Sequence, residues 1–162
     1  MLRPWKPKYS EAEATADALT EPITAPPIPV QDIAESNGVE VVFVDFGEYK
    51  REVSGLCDFG EKRIYVNAED SRARRAFTMA HELGHWLLHK EHYLQHPEEY
   101  PILPRFSVPD NSNPLEKEAN KFAACLLMPR HLLRPVKTAP VAQLARIFGV
   151  SQLAMSYRLR DV

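Results

Sequence analysis

The sequence has only two cysteines, Cys57 and Cys125, in 162 residues. So few exclude a disulfide framework and point to a reducing, cytoplasmic home. Long apolar runs are missing too. No stretch approaches the roughly 18 residues that span a bilayer, and the N-terminus lacks the apolar h-region of a secretory signal. Charge of one sign is scarce: 20 Lys+Arg stand against 22 Asp+Glu, a formal net charge of −2. That balance leaves no electrostatic footprint for bulk nucleic-acid or membrane binding. Proline, 14 in all, is absent from residues 30–96. Because proline removes a backbone donor and ends helices and central strands, the regular core is expected to begin at Val30. With 44% hydrophobic and 26% charged residues, the composition is that of one globular domain able to bury a core unaided.

Two regions follow from this punctuation. Residues 1–29 read as a Pro-rich N-terminal surface arm, with a short helix over 10–19 and a stiff Ala25-Pro26-Pro27-Ile28-Pro29 linker. Residues 30–162 read as the folded domain. A short helix over 30–36 ends at Asn37-Gly38, a good C-cap pair. The β-branched, aromatic run 39–45 predicts a buried strand. Strands over 52–58 and 62–67, joined by Phe59-Gly60-Glu61, predict a hairpin. The second half is helical, over 71–90, 114–128, 138–148 and 151–160, with a Pro-rich polar loop at 91–113. Strands first and helices after give an α+β fold, with a small antiparallel sheet of about three strands.

The chemistry is concentrated in Phe77-Thr78-Met79-Ala80-His81-Glu82-Leu83-Gly84-His85. His81 and His85 are four apart, so a helix stacks them on one face, where two imidazoles can share a zinc ion. Glu82 is then placed to take a proton from an attacking water and pass it to a leaving amine. The five-residue pattern arises by chance in under about one in a hundred chains of this length. His89 extends the ladder, but it lies roughly 11 Å along the axis from His81, too far to share one ion.

A third ligand is therefore expected from another helix, and 114–123 offers Glu116 and Glu118. Helix phase places Glu116 with Ala119, Ala123 and Leu127 on the small, apolar side, and Glu118 with Lys121 and Cys125 on the more polar side. A buried carboxylate needs a partner, and zinc supplies one, so Glu116 is the expected ligand. Asn120, one turn on, is placed to orient a metal-binding histidine.

These blocks, together with Leu126-Leu127-Met128-Pro129, Leu144-Ala145-x-x-Phe148-x-Val150-Ser151 and Arg158-Leu159, resemble the ImmA/IrrE family of bacterial and phage metallopeptidases. The resemblance spans about 30–160. It implies a compact zincin of the glutamate-ligand type, with one Zn2+ per chain held by His81, His85 and Glu116 and with Glu82 as catalytic acid/base. It further implies a zinc-dependent endopeptidase whose partner is a helix-turn-helix repressor, cleaved in a stress, phage or mobile-element system. The reading from a different class is a zinc-bound, antitoxin-like interaction module with little or no proteolysis.

Several residues stay open. Tyr157, Arg158, His92 and Tyr93 are all candidates to stabilise an oxyanion opposite the zinc. The strand over 62–67 is the expected edge for an extended substrate. Arg72, Arg74 and Arg75 are expected to be solvated. The pair 138–148 and 151–160 has a helix-turn-helix pattern, yet residues 138–162 carry three arginines and one aspartate, which argues against DNA contact. Leu144, Ala145, Phe148, Val150, Leu153 and Leu159 are expected to complete the core instead.

Overall fold

A computed structural model describes residues 6–106 and 113–162; the parts of the expected arm and loop at 1–5 and 107–112 lie outside the described residues. The chain runs α1 (Tyr9–Thr20), α2 (Val30–Ser36), β1 (Glu40–Val44), β2 (Val53–Asp58), β3 (Arg63–Asn67), α3 (Arg72–Leu88), α4 (Lys90–Gln95) and β4 (Ile102–Pro104). It continues with α5 (Pro114–Leu127), α6 (Arg130–Leu133), α7 (Val141–Phe148) and α8 (Gln152–Asp161). The class is α+β: one open four-stranded sheet lies against α3, and α5 packs on α3. No helix among the described residues is long and apolar enough to cross a membrane.

The sheet differs from the expected three antiparallel strands. Its order is β1-β3-β2-β4. The β2–β3 hairpin is antiparallel as its turn requires, with Asp58 Oδ1 accepting from Glu61 N at 3.0 Å and Lys62 at φ 57°. β1 instead pairs parallel to β3, Glu40 opposite Arg63 through Val44 opposite Asn67. β4 adds the fourth strand from inside the Pro-rich segment. Proline is tolerated there because an edge strand needs no donor on its open side. This order corrects the expected substrate edge: β3 is interior, and β1 and β4 are the open edges.

The helices are capped by residues the sequence displays. Ser71 Oγ accepts from Arg74 N at 3.2 Å to start α3, and Asn113 Oδ1 accepts from Leu115 N at 2.9 Å ahead of Pro114 to start α5. Gly149, at φ 70°, ends α7, with Val150 N donating to Ala145 O at 2.9 Å. Leu144, Ala145, Phe148 and Val150 are buried as expected, but Leu153 is exposed and Met155 takes the inward position.

The segment expected to be a surface arm is docked. α1 buries Ala12 and Ala16 against α5, and Arg130 Nη2 reaches Glu13 Oε1 at 3.3 Å. Ile28 of the linker is buried too. Of the arginines before the motif, Arg72 is exposed, whereas Arg75 donates from Nη1 to Ala68 O at 3.2 Å. Arg74 donates from Nε to Ser54 Oγ at 3.0 Å and from Nη2 to Pro104 O at 2.6 Å, holding β4 to the body.

Candidate metal centre

α3 and α5 meet where their residues are smallest. Gly84 approaches Ala119 and Phe122 so closely that an added Cβ would lie 2.9 Å from Phe122 Cδ1. This crossing brings the first turn of α5 over the histidine face of α3. His85 Nε2 lies 2.8 Å from Glu116 Oε1, His81 Nε2 lies 3.1 Å from Glu116 Oε2, and the two Nε2 atoms are 3.2 Å apart. Their donor atoms all fall within 4.8 Å of one another. Both histidines are fully buried, whereas Glu116 is partly open.

The other face of each imidazole is occupied. His81 Nδ1 lies 2.8 Å from Asn120 Oδ1, an atom that can only accept, so Nδ1 carries a proton and the lone pair of the neutral ring belongs to Nε2. Burial holds the His85 pKa down to about 4, so that imidazole is neutral near pH 7. Bare nitrogens and an ionised carboxylate, packed within hydrogen-bond distance, are all acceptors. Such a set repels itself unless a cation sits among them, so these residues fit a divalent metal ion.

Glu82 is fully buried on the same helix, and neither carboxylate oxygen has a hydrogen-bond partner among the described residues. Burial, and secondarily the charge of Glu116, pushes its pKa well above the ordinary value of 4.5. An unpaired buried carboxyl is costly as structure and useful as a proton carrier.

The four oxyanion candidates separate. Tyr93 is buried with its ring edge-on to His85, centroids 5.4 Å apart. The hairpin-tip Phe59, stacked on Tyr93 at 5.2 Å, holds it there. His92 pairs with Glu99 at 2.8 Å on the partly exposed side of α4. Tyr157 is exposed on α8. Arg158 is buried and donates from Nε to Met128 O at 3.0 Å, tying α8 to the end of α5.

One expectation is reversed. Glu118, placed by helix phase on the polar side, is more buried than Glu116 and lies 3.4 Å from His89 Nε2. α5 is buried on more than one face, because it packs on both α3 and α1, and Glu118 meets His89 at the end of α3. Spacing sets His89 aside as a ligand and phase sets Glu118 aside; the contact of His89 with Glu118 and with His85 is what the sequence does not show. The available signal was a third histidine one turn beyond the motif, which needed a partner once the helix was buried.

The chain matches the family model of the IrrE N-terminal-like domain, a peptidase family, over residues 34–160. It belongs to that family. The IrrE-like match takes in the sheet, both ligand-bearing helices and most of α8, and leaves α1 outside. Family membership carries a peptidase fold and metal dependence, in keeping with the His81, His85 and Glu116 cluster. A search of curated proteins finds no match. Among solved structures, this IrrE-like chain is similar to a Mycobacterium tuberculosis transcriptional regulator, with a TM-score of 0.64 and 17% identity over 92% of this chain. That likeness speaks for the fold alone. This chain spans 46% of that regulator's length.

Proposed function

We propose that this protein is a zinc-dependent endopeptidase that cleaves a partner protein, a helix-turn-helix transcriptional repressor, in the cytoplasm. The observation that carries the reading is the pairing of a His81, His85 and Glu116 cluster with a fully buried, unpartnered Glu82 beside it. His81 and His85 would hold the ion through Nε2 and Glu116 through its carboxylate. Bound zinc supplies a Lewis acid that polarises a carbonyl and acidifies water. Glu82 takes the proton from the attacking water and delivers it to the leaving amine, and its lack of any other hydrogen-bond partner among the described residues leaves its carboxylate free for both transfers. Asn120 keeps His81 in the ligating tautomer. Tyr93 walls the site beside His85, and an extended substrate segment finds an open sheet edge at β4, which lies in the chain between the two ligand helices.

The test is to incubate the zinc-loaded protein with the repressor encoded beside it, alongside Glu82→Gln. Cleavage by the parent protein, falling on the order of 10²–10⁴-fold in Glu82→Gln with zinc content unchanged, is the expected result. An intact repressor under every condition, with zinc and partner both bound, overturns the protease reading in favour of an interaction module.

A further inference from the structure

We infer that His89 and Glu118 form a buried relay that fixes the tautomer of His85 and so positions its Nε2 for metal; this rests on the zinc reading above. His85 Nδ1 and His89 Nδ1 are 2.8 Å apart, and His89 Nε2 lies 3.4 Å from Glu118 Oε1. His89 is 4% exposed and Glu118 5%, so neither is offered water in exchange for its partner.

Proton bookkeeping assigns every atom in the row. A carboxylate only accepts, so His89 carries its proton on Nε2, facing Glu118. A neutral His89 then presents a bare Nδ1. Two bare nitrogens cannot sit 2.8 Å apart without repulsion, so the proton between them belongs to His85 Nδ1, which donates to His89 Nδ1. That leaves His85 Nε2 with its lone pair aimed at the cluster. His81 reaches the same state by a shorter device, the Asn120 amide oxygen. The two ligands of one helix are therefore oriented by different means, a neutral amide for His81 and an imidazole–carboxylate pair for His85. The relay also ties the last turn of α3 to the first half of α5 from behind the site. His89 and Glu118 are positioning residues and touch no substrate.

The experiment has two arms on the full-length protein. In the first, zinc affinity is read by competition with a chromophoric chelator. His89→Leu removes the acceptor at similar volume, and a 10–100-fold loss of affinity is expected. His89→Gln, whose amide oxygen can take the His85 proton, should recover most of that loss. Glu118→Ala should weaken zinc binding at least about tenfold, and Glu118→Gln, which still accepts from His89, by much less. A purely packing role would not favour the accepting variants. In the second arm, long-range 1H–15N spectra of the zinc-loaded parent protein should show protons on His85 Nδ1 and His89 Nε2. Parental affinity in folded His89→Leu and Glu118→Ala, or a proton on His89 Nδ1, overturns the relay while leaving the zinc site standing. Failure of the parent protein itself to hold zinc overturns both. The spectra decide the matter even if the variants do not fold.

Discussion

Gly84 on α3 faces Phe122 on α5 with no space for a methyl group between them. The close approach sets how far Glu116 and Asn120 stand from the histidines, because all four are carried by these two helices. Gly84→Ala would press on Phe122 Cδ1 at 2.9 Å and on the Ala119 backbone at 3.3 Å. We expect a destabilisation of about 1–3 kcal/mol, the usual cost of overpacking, and weakened metal retention as α5 is pushed outward. Urea unfolding and metal analysis of the same preparation check this. Unchanged values in both would show that the crossing has slack.

Arg158 resembled an oxyanion donor in sequence and is a structural tether in the fold. Its Nε satisfies the Met128 carbonyl, while Nη1 and Nη2 have no partner among the described residues. Arg158→Ala removes that hydrogen bond and buried packing, for an expected loss of about 1–3 kcal/mol. Zinc stoichiometry should stay at the parental value. Loss of zinc without loss of stability would return Arg158 to the site.

The metal-free protein should be sensitive to acid, with a sign fixed by three groups. Burial holds His85 at about 4 and His89 at about 3, against an ordinary 6.5. As pH falls below 6.5, the unfolded chain therefore takes up protons that the folded chain refuses, and stability drops. Glu82 acts in the opposite direction: its folded pKa is raised well above 4.5, so the folded chain keeps a proton that the unfolded chain releases. Between about pH 6.5 and 4.5, two histidines against one glutamate leave a net uptake of one proton on unfolding, roughly 1.4 kcal/mol per pH unit. Glu82→Gln removes the opposing group, so its stability should fall more steeply with acid. Urea midpoints at pH 7 and pH 5, with chelator present, measure both slopes; a flatter profile for Glu82→Gln contradicts the assignment.

Arg74 is expected to act as the clip for β4. Its guanidinium spans Ser54 on β2 and the Pro104 carbonyl, and burial lowers its pKa. Arg74→Ala should cost about 1–2 kcal/mol and should speed amide exchange at 102–105 more than in the β2–β3 hairpin. Equal exchange in both places would mean that backbone pairing alone holds the edge.

What was legible in the sequence was local. The spacing of His81, Glu82 and His85, the helix starts near 71, 114 and 151, and the hairpin turn all rest on interactions within a few residues. The nearness of Glu116 to the histidines could be reached because one helix face predicts what it turns inward. The misreadings were tertiary. The burial of Glu118 depends on its meeting His89 beyond the end of α3, and the parallel β1–β3 pairing depends on the 45–52 connection, which carries the chain past the place that β3 then takes. Leu153, apolar by type, is left outward because α8 turns Met155 to the interior. β4 was hidden by its prolines, which mark loops and edge strands alike.

The docking of α1 on α5 has a consequence for the order in which the molecule can be assembled. The sheet, α3 and α4 all lie between these helices in the chain, so α1 leaves the ribosome long before the surface it covers exists. Until α5 is made, Ala12 and Ala16 lack the helix they pack against, and His81 and His85 have no Glu116 opposite them. One late event, the arrival of α5, thus supplies both the cover for the first helix and the carboxylate for the metal. A nascent chain stalled before Pro114 should be unable to hold zinc at this centre, and the centre matures only when the fold closes.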